Sequence, residues 1–271
     1  MKRKSHSTDL GTIVYWCSRI KPDRTTLVFL PGLTADHRLF LKQAEAFEGE
    51  YNMLVWDAPG HGRSRPFDLR FSLMDKACWL HDILEKEGIR KPVLIGQSMG
   101  GYVSQCFLER FPREAAGFLS IDSAPLKRCY ITEAELWLLK RTGPIYRSYP
   151  WRRLRYDGAR GCSETEYGRR MMYAFTGSYS KEEYCALADH GFRILGEAIE
   201  ADLPYRPCCP VLLLCGEKDK AGSARRYNRK WAERENLELI WIPGAGHNSN
   251  ADQPEKVNTC IRSFVQKCEI V

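Results

Sequence analysis

The sequence predicts an α/β protein built on a mainly parallel sheet, with a helical insertion in its second half. Three observations carry that expectation. Short apolar runs closed by turn residues recur along the chain. Most are nearly continuous rather than alternating, as in strands buried on both faces of a parallel sheet. Segments with apolar residues at three- and four-residue spacing separate these runs, the mark of amphipathic helices. From Leu126 to Pro207 the helical spacing continues without a convincing strand.

Taken in order, the strand-like runs are GTIVYWCS (11–18), TTLVFLPG (25–32), YNMLVWDAPG (51–60), KPVLIGQS (91–98), AAGFLSIDSAP (115–125), CPVLLLCGEKD (209–219) and LELIWIPGAGH (237–247). The helix-like segments between and after them are 36–47, 72–88, 99–111, 223–235 and 254–267, with Ser72 and Ser223 as candidate N-caps. Strand followed by helix followed by strand implies right-handed crossovers in one sheet. The exception, 126–207, is rich in Trp, Tyr, Met and Arg and falls between two core strands. It reads as an insertion leaving a strand's carboxyl end, where ligands collect in open α/β sheets, and so as a lid. The expected division is a core of 1–125 and 208–271 with a lid of 126–207.

Composition limits the alternatives. With 271 residues, 44% hydrophobic and 28% charged, the chain can bury a sizeable core. A net charge of +7 is modest for this length and leaves no footprint of nucleic-acid binding. The basic start MKRKSHSTDLG is not followed by an apolar run of signal-peptide length. No later stretch approaches a membrane span, so the chain reads as cytoplasmic. Its 11 cysteines are scattered, with no CxxC pair and no HExxH, and read as buried thiols without a metal site.

The chemistry gathers where strands end. Gly96-Gln97-Ser98-Met99-Gly100 matches G-x-S-x-G between a strand-like run and a helix-like one, the context that gives such a match its force. Glycines let neighbouring backbone pass close to a turn that holds Ser98 in an unfavourable conformation and exposes its hydroxyl. A helix beginning at Met99 would supply free N–H groups and the positive end of its dipole to a developing oxyanion. A serine needs a base oriented by an acid. LLLCGEKDK leaves Glu217 and Asp219 beyond one late strand, and WIPGAGHNSN leaves His247 beyond the last.

The order Ser98, Asp219, His247 resembles that of the α/β-hydrolase fold family, whose triad runs Ser, Asp or Glu, His. The resemblance covers residues 11 to 268 and implies a mostly parallel sheet of roughly eight strands with a variable lid. LVFLPGLTADHRLF (27–40) is similar to the family's loop after the third strand, where Pro31-Gly32 stands in place of the usual His-Gly. It implies oxyanion donors at the Leu33 and Met99 amides. DAPGHGRS (57–64) matches a D-x-P-G-x-G-x-S segment of the smaller members. The resemblance implies an acyl-enzyme on Ser98, His247 as general base then acid, and Asp219 holding the imidazole.

Other residues compete for these parts. Glu217 stands two positions from Asp219, and Asp122 in SIDSAP ends the preceding strand, where some members place the acid. His61 in PGHGR is a second histidine, in a turn whose role in the family is structural. Between Trp137 and Arg160, Lys140, Arg141, Arg147, Arg152, Arg153, Arg155 and Arg160 face only Asp157, a local excess of six positive charges. That run is either a solvated face or a dock for an anionic head group, carrier or membrane.

The expected activity is cofactor-independent hydrolysis of a small-molecule carboxylic ester or thioester. The same triad would also serve acyl transfer, C–C cleavage or a menaquinone-pathway lyase whose elbow looks alike. From another class, a non-catalytic ligand receptor on the hydrolase fold remains a rival.

Overall fold

A computed structural model describes residues 1–270, and its sheet has eight strands: β1 Lys2–Ser7, β2 Thr12–Cys17, β3 Thr26–Leu30, β4 Asn52–Trp56, β5 Val93–Gln97, β6 Gly117–Ile121, β7 Val211–Gly216 and β8 Glu238–Ile242. Their spatial order is β1-β2-β4-β3-β5-β6-β7-β8. The first two strands run antiparallel to their neighbours and the rest are parallel. β3 to β6 are buried along their full length, which is why they read as unbroken apolar runs.

Helices cover both faces. α2 (Leu73–Lys86), α3 (Met99–Arg110) and α9 (Ala224–Glu235) share one core with β2, β3 and β5, through Leu80, Val103, Phe107 and Trp231. On the other face α1 (Leu41–Phe47) and the last helix, α11 (Pro254–Ile270), bury Phe47, Val257, Ile261 and Phe264. A single turn, α10 (Ser249–Asp252), precedes α11.

Between β6 and β7 the described chain is helical: α4 Glu133–Leu139, α5 Thr142–Ser148, α6 Trp151–Cys162, α7 Glu166–Gly177 and α8 Lys181–Glu200. Ser72, Thr132 and Ser180 close capping boxes with Asp75, Glu135 and Glu183, satisfying free amides at three helix starts. Leu136, Ile194 and Ile199 of this segment join the first core, while Ala159, Met172 and Phe175 join the second. The segment therefore spans both layers across the carboxyl ends of the strands.

Three elements differ from the sequence reading. The basic start forms β1, an edge strand whose register on β2 pairs Lys2 with Cys17 and His6 with Ile13. Its side chains are almost all exposed, so backbone pairing with β2, and not an apolar face, makes it a strand, with Lys4 paired to Glu87 and the Ser5 carbonyl accepting from Lys86 at the end of α2. The segment 36–47 is two pieces, a tight turn His37–Phe40 capped by Asp36 and then α1. Ser223 precedes α9 but does not cap it; its hydroxyl instead donates to Glu135 Oε1 at 3.3 Å.

Candidate active site

Ser98 sits at the end of β5, the central strand, with φ 49° and ψ −115°, a region that side-chain-bearing residues seldom enter. Its own N–H donates to the Ile121 carbonyl and its carbonyl accepts from Gly101 N–H, both at 2.9 Å, so the turn is held at each end. The glycines around it answer to close backbone approach. A Cβ on Gly96 would stand 2.5 Å from the Gly100 backbone, and one on Gly101 2.5 Å from the Ser123 side chain. On Gly32 a Cβ would overlap the Gln97 side chain, so the Pro31-Gly32 loop passes directly behind the serine.

His247 Nε2 lies 2.9 Å from Ser98 Oγ, and its Nδ1 lies 2.9 Å from Asp219 Oδ2. Asp219 Oδ1 accepts from Ala221 N–H at 2.8 Å, which fixes the carboxylate toward the ring. Burial opposes protonation of His247, but the Asp219 carboxylate, through charge and hydrogen bond, and then the charge of Asp122 together raise the imidazole above its ordinary value.

The remaining candidates are occupied elsewhere. Asp122, itself at φ 49°, accepts from the amides of Gly216 and Ser249 at 2.8 Å each. Ser249 Oγ lies 2.8 Å from its Oδ1 and 3.2 Å from the Gly246 carbonyl. Asp122 thus ties the ends of β6 and β7 to the turn after His247. Burial and then the neighbouring Asp219 push its carboxyl up to about 8. Glu217 is exposed and accepts from Gly244 N–H at 3.3 Å. His61 is buried, with Nδ1 donating to the Pro59 carbonyl at 2.9 Å and burial pressing it down to about 3.

Leu33 and Met99 both border the cavity above Ser98. Met99 opens α3, so its N–H has no acceptor within the helix. The Leu33 side chain packs against Gly191 of α8, where a Cβ would stand 2.5 Å from it; that contact sets the aim of its loop.

Sequence reasoning missed three residues that hold the histidine loop. Gln97 Nε2 donates to the His247 carbonyl at 2.7 Å and to Asn248 Oδ1 at 3.2 Å. Asn248 N–H donates to the Cys162 carbonyl at 2.9 Å, and its side chain to Ser163 Oγ at 3.1 Å. Asp252 accepts from Gly246 N–H (2.9 Å), Glu164 N–H (2.8 Å), Thr165 N–H (3.0 Å) and Thr165 Oγ1 (2.7 Å). The α6–α7 turn is therefore bonded to the histidine loop on two sides. Gln97 lies inside the G-x-S-x-G match, but nothing local marks its partner 150 residues away.

The cavity above Ser98 measures about 540 Å³ and runs from Leu33 and His247 to Ile199 and Tyr227. Its wall is apolar with interspersed hydroxyls, such as Tyr102, Tyr146, Tyr184 and Thr176. Among the described residues no lysine or arginine lines it. The arginine run lies outside: Lys140 pairs with Glu200 (2.7 Å), Arg147 with Asp189 (2.9 Å) and Arg153 with Asp157 (3.6 Å). Two groups of potential metal ligands occur, Asp36-His37-Asp57 and Asp122-Cys215-Asp219. Their carboxylates already accept protein hydrogen bonds, from Arg38, His37 and Arg63 in the first and from Gly216, Ser249, His247 and Ala221 in the second.

A mostly parallel eight-stranded sheet carrying a serine elbow is the architecture of the α/β hydrolases. Residues 27–259 match the alpha/beta hydrolase family, and the chain belongs to it. It is 23% identical over 258 residues to RutD of Escherichia coli O103:H2 (strain 12009 / EHEC), a protein named for carbamate hydrolysis, covering 88% of this chain and 90% of that one. A thermophilic esterase from Thermogutta terrifontis superposes with a TM-score of 0.77 at 20% identity, over 99% of each chain. The enol-lactonase of Burkholderia xenovorans LB400 gives 0.76 at 17% identity, over 97% of this chain and 100% of its own. At those identities the two structures share the fold.

Proposed function

We propose that this chain is a serine hydrolase that cleaves carboxylic esters or thioesters with an apolar acyl part, through an acyl-enzyme on Ser98. The observation that carries the reading is the unbroken run Ser98 Oγ–His247–Asp219, with both links at 2.9 Å, opening into an apolar cavity free of cationic side chains among the described residues. Ser98 Oγ attacks the carbonyl carbon as His247 Nε2 takes its proton, and Asp219 stabilises the imidazolium that forms. The Leu33 and Met99 amides hold the oxyanion, aided by the start of α3. His247 then returns the proton to the departing alcohol or thiol. A water molecule, deprotonated by the same nitrogen, releases the acid and restores Ser98.

Residues 126–207 serve as the lid in this reading, since α4, α5, α6, α7 and α8 all contribute wall to the cavity. Relatives named for esterase, lactonase and carbamate hydrolysis lend support, because all of those reactions attack an acyl carbon. The lack of any lysine or arginine in the wall among the described residues favours a neutral hydrocarbon acyl group over an anionic one. The route requires no cofactor.

The test is intact mass after a fluorophosphonate probe, run beside Ser98→Ala, followed by hydrolysis of p-nitrophenyl esters of graded acyl length. One adduct on the wild type, none on the variant, and turnover of the neutral esters is the expected result. An unlabelled wild type that binds those esters without cleaving them overturns the reading in favour of a receptor.

A further inference from the structure

Of the eight large apolar side chains that stand substantially exposed among the described residues, six fall between Trp137 and Tyr173. Trp137 is 57% exposed, Leu138 52%, Ile145 55% and Tyr156 54%, so α4, α5 and α6 each turn a bulky apolar group to solvent. Single exposed apolar residues are ordinary, but here the three helices that carry them line one cavity through Leu138, Thr142 and Gly158, and exposed apolar groups grouped around a cavity mark an interaction surface. Leu138 also lines the cavity, and a residue that is half exposed and lines the cavity stands at its mouth. Leu139, Thr142 and Gly158 line the same cavity.

The cations of this face have a particular arrangement. Arg141, Arg152 and Arg160 have no carboxylate within 4.0 Å among the described residues, unlike Lys140, Arg147 and Arg153. The Arg141 guanidinium lies 4.5 Å from the centre of the Trp137 ring, and that of Arg160 lies 5.5 Å from the Tyr156 ring. An exposed aromatic ring with an unpaired arginine beside it fits the boundary of an anionic bilayer, where the ring enters the head-group layer and the guanidinium meets lipid phosphate. Asp189 and Glu200, reaching in from α8, reduce the excess of six between Trp137 and Arg160 to four. Glu133 and Glu135, at the start of α4, are matched by Arg128 and Arg226, so the face stays cationic.

We infer that the outer face of α4, α5 and α6 docks on an anionic phospholipid surface and turns the cavity mouth toward it. Apolar esters dissolved in that surface would then pass Leu138 into the cavity without crossing water. The inference rests on the apolar-ester reading for its purpose, while the docking itself is independent of turnover. Two complementarities argue for lipid: unpaired cations for the phosphates, and exposed Trp, Leu and Ile for the acyl boundary. A soluble polyanion would use only the first. Among the described residues no helix is long and apolar enough to cross a membrane.

The experiment is sedimentation of the Ser98→Ala chain with phosphatidylglycerol-rich vesicles and with phosphatidylcholine vesicles, over a range of salt. The expected result is binding to the anionic vesicles that weakens as salt rises, and little binding to the zwitterionic ones. R141Q/R152Q/R160Q and W137S/I145S are made in the same background, with thermal melting as the check that each is folded. Each is expected to lose about tenfold or more of the vesicle affinity. Absence of binding to anionic vesicles, or unchanged binding by folded W137S/I145S, overturns the inference. So does retention of heparin without retention of vesicles, which would reassign the face to a soluble polyanion. Failure here leaves ester turnover untouched, and failure of ester turnover leaves the vesicle result standing.

Discussion

Gly100 lies so close against Leu30 that a Cβ placed on it would overlap the Leu30 carbonyl oxygen. The contact joins the first turn of α3 to the end of β3, the strand that leads into the Pro31-Gly32-Leu33 loop. One glycine therefore sets the spacing between the serine turn and the loop that carries the Leu33 amide, the proposed second oxyanion donor. Gly100→Ala is expected to lower the urea midpoint by an amount worth about 1–3 kcal/mol or more, since backbone on both sides must move. Gly161→Ala is the control. It lies in α6 with nothing within 4 Å of the added methyl, and it should gain up to about 1 kcal/mol from helix propensity.

Two buried aspartates separate by partner. Asp219 faces His247 Nδ1, whereas Asp122 faces the Gly216 and Ser249 amides. Asp219→Asn is expected to cut kcat about 10⁴-fold, the scale of losing the group that orients a catalytic imidazole. Asp122→Asn should leave kcat within about tenfold, because it removes no contact of the imidazole. The pH profile supplies a second reading. Asp219 raises His247, and a base must be neutral to act, so the acid limb of kcat/KM is expected above the ordinary histidine value. In Asp219→Asn that limb should shift to lower pH. Asp122 also raises His247, though less, so a limb that moves further with Asp122→Asn than with Asp219→Asn would reverse the assignment.

The parts of this molecule that were legible in sequence are those whose cause is local. Gly96, Gly100 and Gly101 are spaced by the turn they permit, and β3 to β6 are apolar because both faces are covered. Asp219 and His247 are nominated by position, each in the turn shortly past the end of a strand, β7 or β8. β1 was not legible, since Lys2-Arg3-Lys4-Ser5-His6 carries no apolar pattern and its pairing with β2 uses backbone groups alone. Asn248 and Asp252 were silent for a different reason. An asparagine or aspartate near a helix start has many local uses, and only the fold brings the α6–α7 turn to them across more than eighty positions.

Lys76 of α2 is buried at 1% exposure with no carboxylate within 4.0 Å among the described residues, its ammonium 5.3 Å from the Phe71 ring centre. Burial brings its amine down to about 8, below the value of about 10.4 expected in an unfolded chain. Between those two values the unfolded state binds more protons, so stability should rise as pH goes from 8 toward 10.4. Below pH 8 the full penalty of the buried charge is present. Lys76→Met is therefore expected to be more stable near neutral pH by roughly 2–3 kcal/mol and to lose that alkaline rise. Urea midpoints measured across this range test both parts, and a variant less stable at every pH would show that the ammonium has a partner.

Asp252 is the joint between the inserted helices and the histidine loop. One oxygen accepts from Gly246 N–H, immediately before His247, and from Glu164 N–H; the other accepts from the Thr165 amide and hydroxyl. Asp252→Asn keeps the shape but brings an NH₂ against donors at one end or the other, leaving buried N–H groups without acceptors. The cost should be about 1–3 kcal/mol in unfolding free energy. Because the freed backbone adjoins His247 and leaves the far end of the cavity untouched, kcat should fall about tenfold or more with KM little changed. Asp252→Glu does not restore the geometry, since the longer side chain displaces one of the two turns it joins. Asn248→Ala, which cuts the second link to Ser163, should lower kcat in the same way and to a smaller extent. If both variants lose stability while kcat holds, the joint is structural only, and His247 is held by Gln97 and Asp219 without help from the inserted helices.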